Sequence, residues 1–178
     1  MVLPRGAGAP LLVRDATRED AAAIGDVHAE AWRVAHRDLF DSRWLPRLVE
    51  QRRHCWTEIM SSREFARNTL LLAERGNHVV AFTYFGPHSD GMPNGEIFDL
   101  YAHPSAWGSG VAWTLMDAAW DRIRDARFRR VRAWTMAGAN RARHFYESFD
   151  FTQTGHTREH DFGDGRPVLE VEYLRSAR

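Results

Sequence analysis

The chain has 178 residues, 44% of them hydrophobic and 27% charged, which suits one globular domain and excludes a wholly disordered polypeptide. Its 24 basic and 24 acidic residues cancel, so no global charge favours nucleic acid, and every basic residue is an arginine, which excludes a Schiff-base lysine or a Walker-type phosphate lysine. A single cysteine, Cys55, excludes an intrachain disulfide and a cysteine-built zinc site, and no apolar run reaches the ~18 residues of a membrane span. We therefore expect a cytoplasmic protein with neither a membrane nor a nucleic-acid partner.

Residues 1–10 lack the apolar core of a signal peptide and read as a flexible lead-in, leaving 11–178 as one domain. Leu11–Arg14 is a short strand. Thr17 opens a helix, with Asp20 completing an imperfect capping box, and Ile24, His28, Ala31 and Ala35 recur at helical spacing up to about His36. Ser42 to about Met60 reads as a second helix, with Pro46 in its first turn. The period then changes. Thr69–Glu74 and His78–Phe85 are strands joined by a hairpin turn at Arg75-Gly76-Asn77, and Glu96–His103 is a third strand after a Pro/Gly/Asp loop over Gly86–Gly95.

Gly108 and Gly110 lead into a helix whose apolar face is Ala112, Leu115, Met116, Ala119 and Ile123. Val131–Met136 is a strand and Ala139–Phe149 a short helix. Thr152–Asp161 and Val168–Leu174 are two strands around the turn Gly163-Asp164-Gly165. The order β-α-α-β-β-β-α-β-α-β-β predicts an α/β (α+β) fold. Its centre is a mixed, mostly antiparallel sheet, with one parallel crossover through the Gly-led helix.

The segment from Glu96 to Ala112 is the most informative: strand, Gly-containing loop, helix. The amides of Gly108, Ser109, Gly110, Val111 and Ala112 can converge at the helix N-terminus, where unpaired N–H groups and the positive dipole end suit a diphosphate. Glycine removes the Cβ that would keep an anion away. A glycine before a helix is also often only a turn. A Rossmann fingerprint is disfavoured because its third glycine position is Trp113.

Leu100-Tyr-Ala-His-Pro104 followed by Trp107-Gly-Ser-Gly-Val-Ala112 resembles the acetyl-CoA motif of GNAT superfamily N-acetyltransferases, in which Gln/Arg-x-x-Gly-x-Gly/Ala follows a strand. Gly110 and Ala112 match it; Trp107 stands where Gln or Arg is usual, and Ser109 where a basic residue is common. Asn140 to Phe151, with the Phe145-Tyr146 pair, is similar to the family's Asn-containing helix, with Asp150 in place of the usual glycine. Val13–Asp20 and Ala31-Trp32-Arg33 are similar to its opening strand and first helix. The resemblance spans about residues 11–174 and implies a central sheet of about seven strands flanked by about four helices.

It also implies direct acetyl transfer from acetyl-CoA to a primary amine of a small molecule or peptide, without an acyl-enzyme or a metal. Homodimers are common in the family. A carboxylate must take the amine proton. Glu96, at the start of the strand before the loop, resembles the family's glutamate base, and a solvated strand-end residue is the competing reading. Asp99 is the second candidate; three residues on, it faces the opposite side of a regular strand, so both cannot serve unless a bulge intervenes. Tyr146 matches the tyrosine that protonates the departing thiolate, although it also lies on an apolar helix stripe. Asn140 matches a pantetheine contact, or is a helix N-cap.

The resemblance further implies that backbone groups of Leu100 and Ala102 pair with the pantetheine amides and that Trp107 to Ala112 hold the diphosphate. Trp32 and His36 on the first helix, with Asp99, are the expected border of the acceptor, although a tryptophan at such a position is more often core. His156-Thr-Arg-Glu-His160 matches a zinc pattern only on a helix; read as a strand, it sets the two rings about 13 Å apart. Cys55 reads as a structural thiol. The rival readings are a GNAT-fold protein that binds or senses an acyl-CoA without turnover, and an interaction domain that binds none.

Overall fold

The computed structural model describes residues 9–90 and 93–177, so the expected lead-in falls almost entirely outside the described residues. Seven strands form one sheet: β1 (Leu11–Asp15), β2 (Thr69–Arg75), β3 (His78–Pro87), β4 (Asn94–Ala102), β5 (Arg130–Met136), β6 (Thr152–His160) and β7 (Val168–Ser176). Their order across the sheet is β1-β2-β3-β4-β5-β7-β6, and every neighbouring pair is antiparallel except β4 with β5. The helices are α1 (Ala21–Ala35), α2 (Leu45–His54), α3 (Trp56–Ile59), α4 (Val111–Asp125) and α5 (Asn140–Ser148).

Helices cover both faces of the β2–β4 region, which explains why β2 reads as an uninterrupted apolar run. Leu71 and Ala73 face α4 and pack with Val111, Leu115, Met116, Ala119 and Ile123. Leu70 and Leu72 face α1 and pack with Ile24, Val27, Trp56 and Phe82. Burying each such leucine contributes about 1.5–3 kcal/mol. A third cluster joins Trp32, Phe40, Leu45, Leu48 and Met136 at the end of the molecule where α1 and α2 meet β5.

The junctions follow local chemistry. Gly76 and Asn77 have φ of 57° and 63°, the positive values that a two-residue hairpin turn of the I′ kind requires. Thr17 and Asp20 form the expected box, but around a 3₁₀ turn over Arg18–Asp20, so α1 begins at Ala21. The second helix divides at Cys55 into α2 and α3. Arg14 ties this corner together: its guanidinium reaches Asp20 at 2.7 Å and Glu74 at 2.5 Å.

α5 ends in a Schellman motif. The Phe151 amide donates to the Tyr146 carbonyl at 2.9 Å and the Asp150 amide to the Glu147 carbonyl at 3.2 Å. Asp150 takes the left-handed position, φ 61°, and the Tyr146 and Phe151 rings meet across the cap at 5.3 Å. The departure from glycine at this position therefore leaves the turn intact. Among the described residues no helix is long and apolar enough to cross a membrane.

Candidate active site

β4 and β5 pair only over Asn94–Ile97 and Arg130–Ala133, although β4 runs on to Ala102 and β5 to Met136. Beyond Ile97 and Ala133 the strands part, and a cavity of about 820 Å³ opens in the wedge. The His103 amide donates to the Val80 carbonyl at 2.8 Å. Hydrogen-bonded pairs alternate along an antiparallel ladder, so Leu100 and Ala102 turn their N–H and C=O groups away from β3, toward the gap. The Trp107 indole N–H already donates to the Ala102 carbonyl at 2.8 Å, which locks the indole at the mouth of the wedge.

The loop before α4 forms the cavity's second wall. Gly108 and Gly110 have φ of 75° and 80°, and a Cβ at either would meet nothing within 4 Å: the conformation demands glycine, and the space above the loop is open. The amides of Gly108, Gly110, Val111 and Ala112 make no hydrogen bond among the described residues. Ser109 is a correction to the expected cradle, because its amide and hydroxyl both donate to the Ala106 carbonyl, at 3.3 and 2.7 Å. From the other side of the mouth, the Arg141 guanidinium lies over the Trp107 ring at 4.1 Å and has no carboxylate partner among the described residues.

At the far end the cavity is walled by His36, Phe98, Asp99, Tyr101, Trp134 and Tyr146. A bulge at Phe98 shifts the β3–β4 register, pairing Tyr84 with Asp99 and Phe85 with Ile97. Asp99 thereby faces α1, where its Oδ1 lies 3.9 Å from His28 Nε2. A quarter of its side chain is exposed, yet burial pushes the carboxyl up to about 6, against the opposing pull of Arg52. Burial also raises the Tyr101 and Tyr146 hydroxyls, so both stay protonated at neutral pH. The Tyr101 oxygen accepts from the Trp32 indole N–H at 3.0 Å, whereas the Tyr146 hydroxyl has no partner among the described residues. Burial pulls His36 down to about 4, which keeps it neutral.

One cavity thus joins a cradle of free amides to a carboxyl that burial raises to about 6. The acetyltransferase (GNAT) family model matches residues 29–151. The chain belongs to the GNAT acetyltransferase family. The PaiA N-acetyltransferase of Thermoplasma acidophilum, in complex with coenzyme A, shares its fold with a TM-score of 0.73 at 15% identity, over 94% of this chain and 99% of that one. An N-acetyltransferase of Staphylococcus aureus Mu50 gives 0.73 at 18% identity, over 96% and 100%. The ribosomal-protein-alanine N-acetyltransferase of Brucella melitensis gives 0.67 at 23%, over 93% and 99%. No curated protein sequence matches the chain.

Within this GNAT fold the residues singled out from the sequence fall into two groups. Leu100, Ala102, Trp107, Gly108, Gly110, Val111, Ala112, Asn140, Asp99, His36 and Tyr146 all line the cavity. Glu96, Trp32 and Ser109 do not. The bulge brings Glu96 to the same face of the sheet as Asp99, but its carboxylate faces His88 Nε2 at 3.5 Å, among the charges of Arg132, Arg158 and Glu172. Trp32 is buried behind the wall, packed on Phe40 and Phe162 with the Arg52 guanidinium over it at 4.2 Å, and it positions Tyr101.

Asn140 is the first residue of α5; the N-cap is Ala139, so the capping role does not apply. His156 and His160 lie on β6, where His156 Nδ1 sits 2.9 Å from Glu172 and His160 packs on Phe162. The Cys55 thiol reaches the Arg52 carbonyl, and burial raises its pKa. The sequence assigns no site role to Tyr101, His28, Trp134 and Arg141. Tyr101 had a usable signal, two residues after Asp99 on one strand, and so did His28, a polar residue in the α1 apolar stripe.

Proposed function

We propose that the protein is an acetyl-CoA-dependent N-acetyltransferase that acylates a primary amine of a small molecule or peptide. One observation carries this reading: a single cavity connects the unpaired amides of Gly108, Gly110, Val111 and Ala112 with the carboxyl of Asp99. The helix N-terminus receives the diphosphate, and the Arg141 guanidinium stacked on Trp107 supplies the positive charge absent from position 109. The Leu100 backbone and the Ala102 N–H, facing the gap, pair with the pantetheine amides as an added strand would.

Asp99 serves as the base. Its carboxyl, raised to about 6, is ionised at neutral pH yet basic enough to accept a proton from the attacking amine. The amine nitrogen attacks the thioester carbonyl, the C–N bond forms and the C–S bond breaks. Asp99 takes the amine proton, and the Tyr146 hydroxyl gives one to the departing sulfur, whose thiol has an ordinary pKa of about 8.5. Water then carries the proton from Asp99 back to Tyr146. A carboxyl at the reacting end favours turnover over a purely sensing role. A thiol-release screen against polyamines, aminoglycosides, amino acids and N-terminal peptides tests the reading: at least one class should release coenzyme A at a rate that saturates with amine. Tight coenzyme A binding with no release from any class would contradict it.

A further inference from the structure

Behind Asp99, on the α1 side of the sheet, lies a buried polar chain with no part in the proton transfers above. The Trp56 indole N–H donates to His28 Nδ1 at 3.1 Å, and both residues are buried. An indole nitrogen can only donate, so Nδ1 must carry the lone pair. Burial holds His28 well below its ordinary pKa, so the ring is neutral and its one proton sits on Nε2. That atom is fully buried, has no hydrogen-bond partner, and lies 3.9 Å from Asp99 Oδ1. The His28 ring packs against the rings of Trp32, Trp56, Phe82 and Tyr101. Leaving such a donor unpaired costs about 1–3 kcal/mol, which calls for an acceptor. Asp99 is the carboxylate within reach at 3.9 Å, and contacts of this kind are often long before substrate arrives and shorten in the complex.

We propose that Trp56 and His28 form a positioning relay for the proposed base: the indole N–H fixes the imidazole tautomer, and the imidazole Nε2–H orients and stabilises the ionised carboxylate of Asp99. His28 touches no reacting atom; it acts through Asp99. The other titratable groups acting on the pair are Arg52 from α2, His36 from α1, Cys55 between α2 and α3, Tyr84 from β3, Tyr101 from β4 and Tyr146 from α5. Arg52 is the one fixed charge among them, and it is unchanged in the variants below.

This inference rests on Asp99 being the base, and its test separates the two. The ¹⁵N shifts of His28 report the tautomer and the ¹³C shift of the Asp99 carboxyl reports its titration, in the protein without substrate. The wild type should show the proton on Nε2. In His28→Phe the Asp99 midpoint should rise by about one pH unit, because a donor to the charged form is gone. In His28→Gln, whose amide can donate from the same place, it should return toward the wild type. Trp56→Phe keeps the ring packing and serves if His28→Phe does not fold; the Nε2–H tautomer should lose its dominance and the midpoint should rise by less. A proton found on Nδ1 in the wild type, or an Asp99 midpoint unmoved in the variants, overturns the relay. If the midpoint moves while the acid limb of kcat/KM stays, the relay stands and Asp99 is not the base.

Discussion

Two carboxylates compete for one role, and the protein separates them by their place along β4: Glu96 lies where β4 still pairs with β5, Asp99 beyond it. Glu96 and Asp99 share a face of β4 because of the bulge at Phe98, but only Asp99 opens into the cavity. Asp99→Asn should lower kcat by about 10²-fold or more and leave coenzyme A affinity within about twofold, whereas Glu96→Gln should keep kcat within about threefold, both read by thiol release and calorimetry. In the wild type the rate should climb through a midpoint near the Asp99 value of about 6 and level off above it. At the cavity mouth, Arg141→Ala should weaken coenzyme A binding by about three- to tenfold, and the effect should shrink at high salt, since an exposed cation is screened. Their spacing sets Glu96 and Asp99 on opposite faces of a regular strand, and the bulge that puts both on one face is not readable from it. An extra strand residue leaves no mark in composition, and a guanidinium stacked from a distant helix leaves none in a local motif.

Elements were legible where the pattern was dense. The β2–β3 hairpin, the Gly-led α4 and the Phe145-Tyr146 helix lie close to where periodicity and turn residues put them, because both faces of β2 and one full stripe of α4 are apolar. The break at Cys55 was not legible, since the arginine-rich stretch around it keeps a helical pattern straight through. Ser109 was read as a phosphate donor because an amide spent on the Ala106 carbonyl looks the same in sequence as a free one. At the end of α5, Asp150 holds a left-handed conformation that costs a non-glycine residue about 1 kcal/mol, and its contact with Arg175, at 3.4 Å on the surface, returns little. Asp150→Gly should therefore raise the melting temperature by about 2–4 °C in a chain of this size, measured by calorimetry. A fall would mean that the arginine contact matters more than the backbone strain.

For the molecule as a whole, stability and activity pull Asp99 in opposite directions. Its folded pKa is raised, so the native state binds a proton that the unfolded chain has already lost, and this group's contribution falls as pH rises from about 4 to about 6. Asp20 has the opposite sign: Arg14 holds it down at about 2, so its contribution is present above about 4 and is lost as pH falls toward 2. Denaturant unfolding at pH 7 should find Asp99→Asn more stable than the wild type by about 1–2 kcal/mol and Asp20→Asn less stable by a similar amount; at pH 3 both differences should shrink. A destabilised Asp99→Asn at pH 7 would mean that the ionised carboxyl gains more from its partners than burial costs it, contradicting its raised pKa.

The same trade appears in the sheet, which gives up β4–β5 pairing beyond Ile97 to hold a cavity between the Gly-led helix and α1. That the parted strands receive coenzyme A, with its diphosphate on the α4 amides, is the claim on which the mechanism depends. An amide ¹⁵N–¹H titration with coenzyme A tests it most directly. Saturable downfield shifts concentrated at Gly108, Gly110, Val111 and Ala112, with Leu100 and Ala102 following and Ser109 moving least, are the expected result. Binding that perturbs a different surface, or no perturbation of these amides at millimolar ligand, would contradict it.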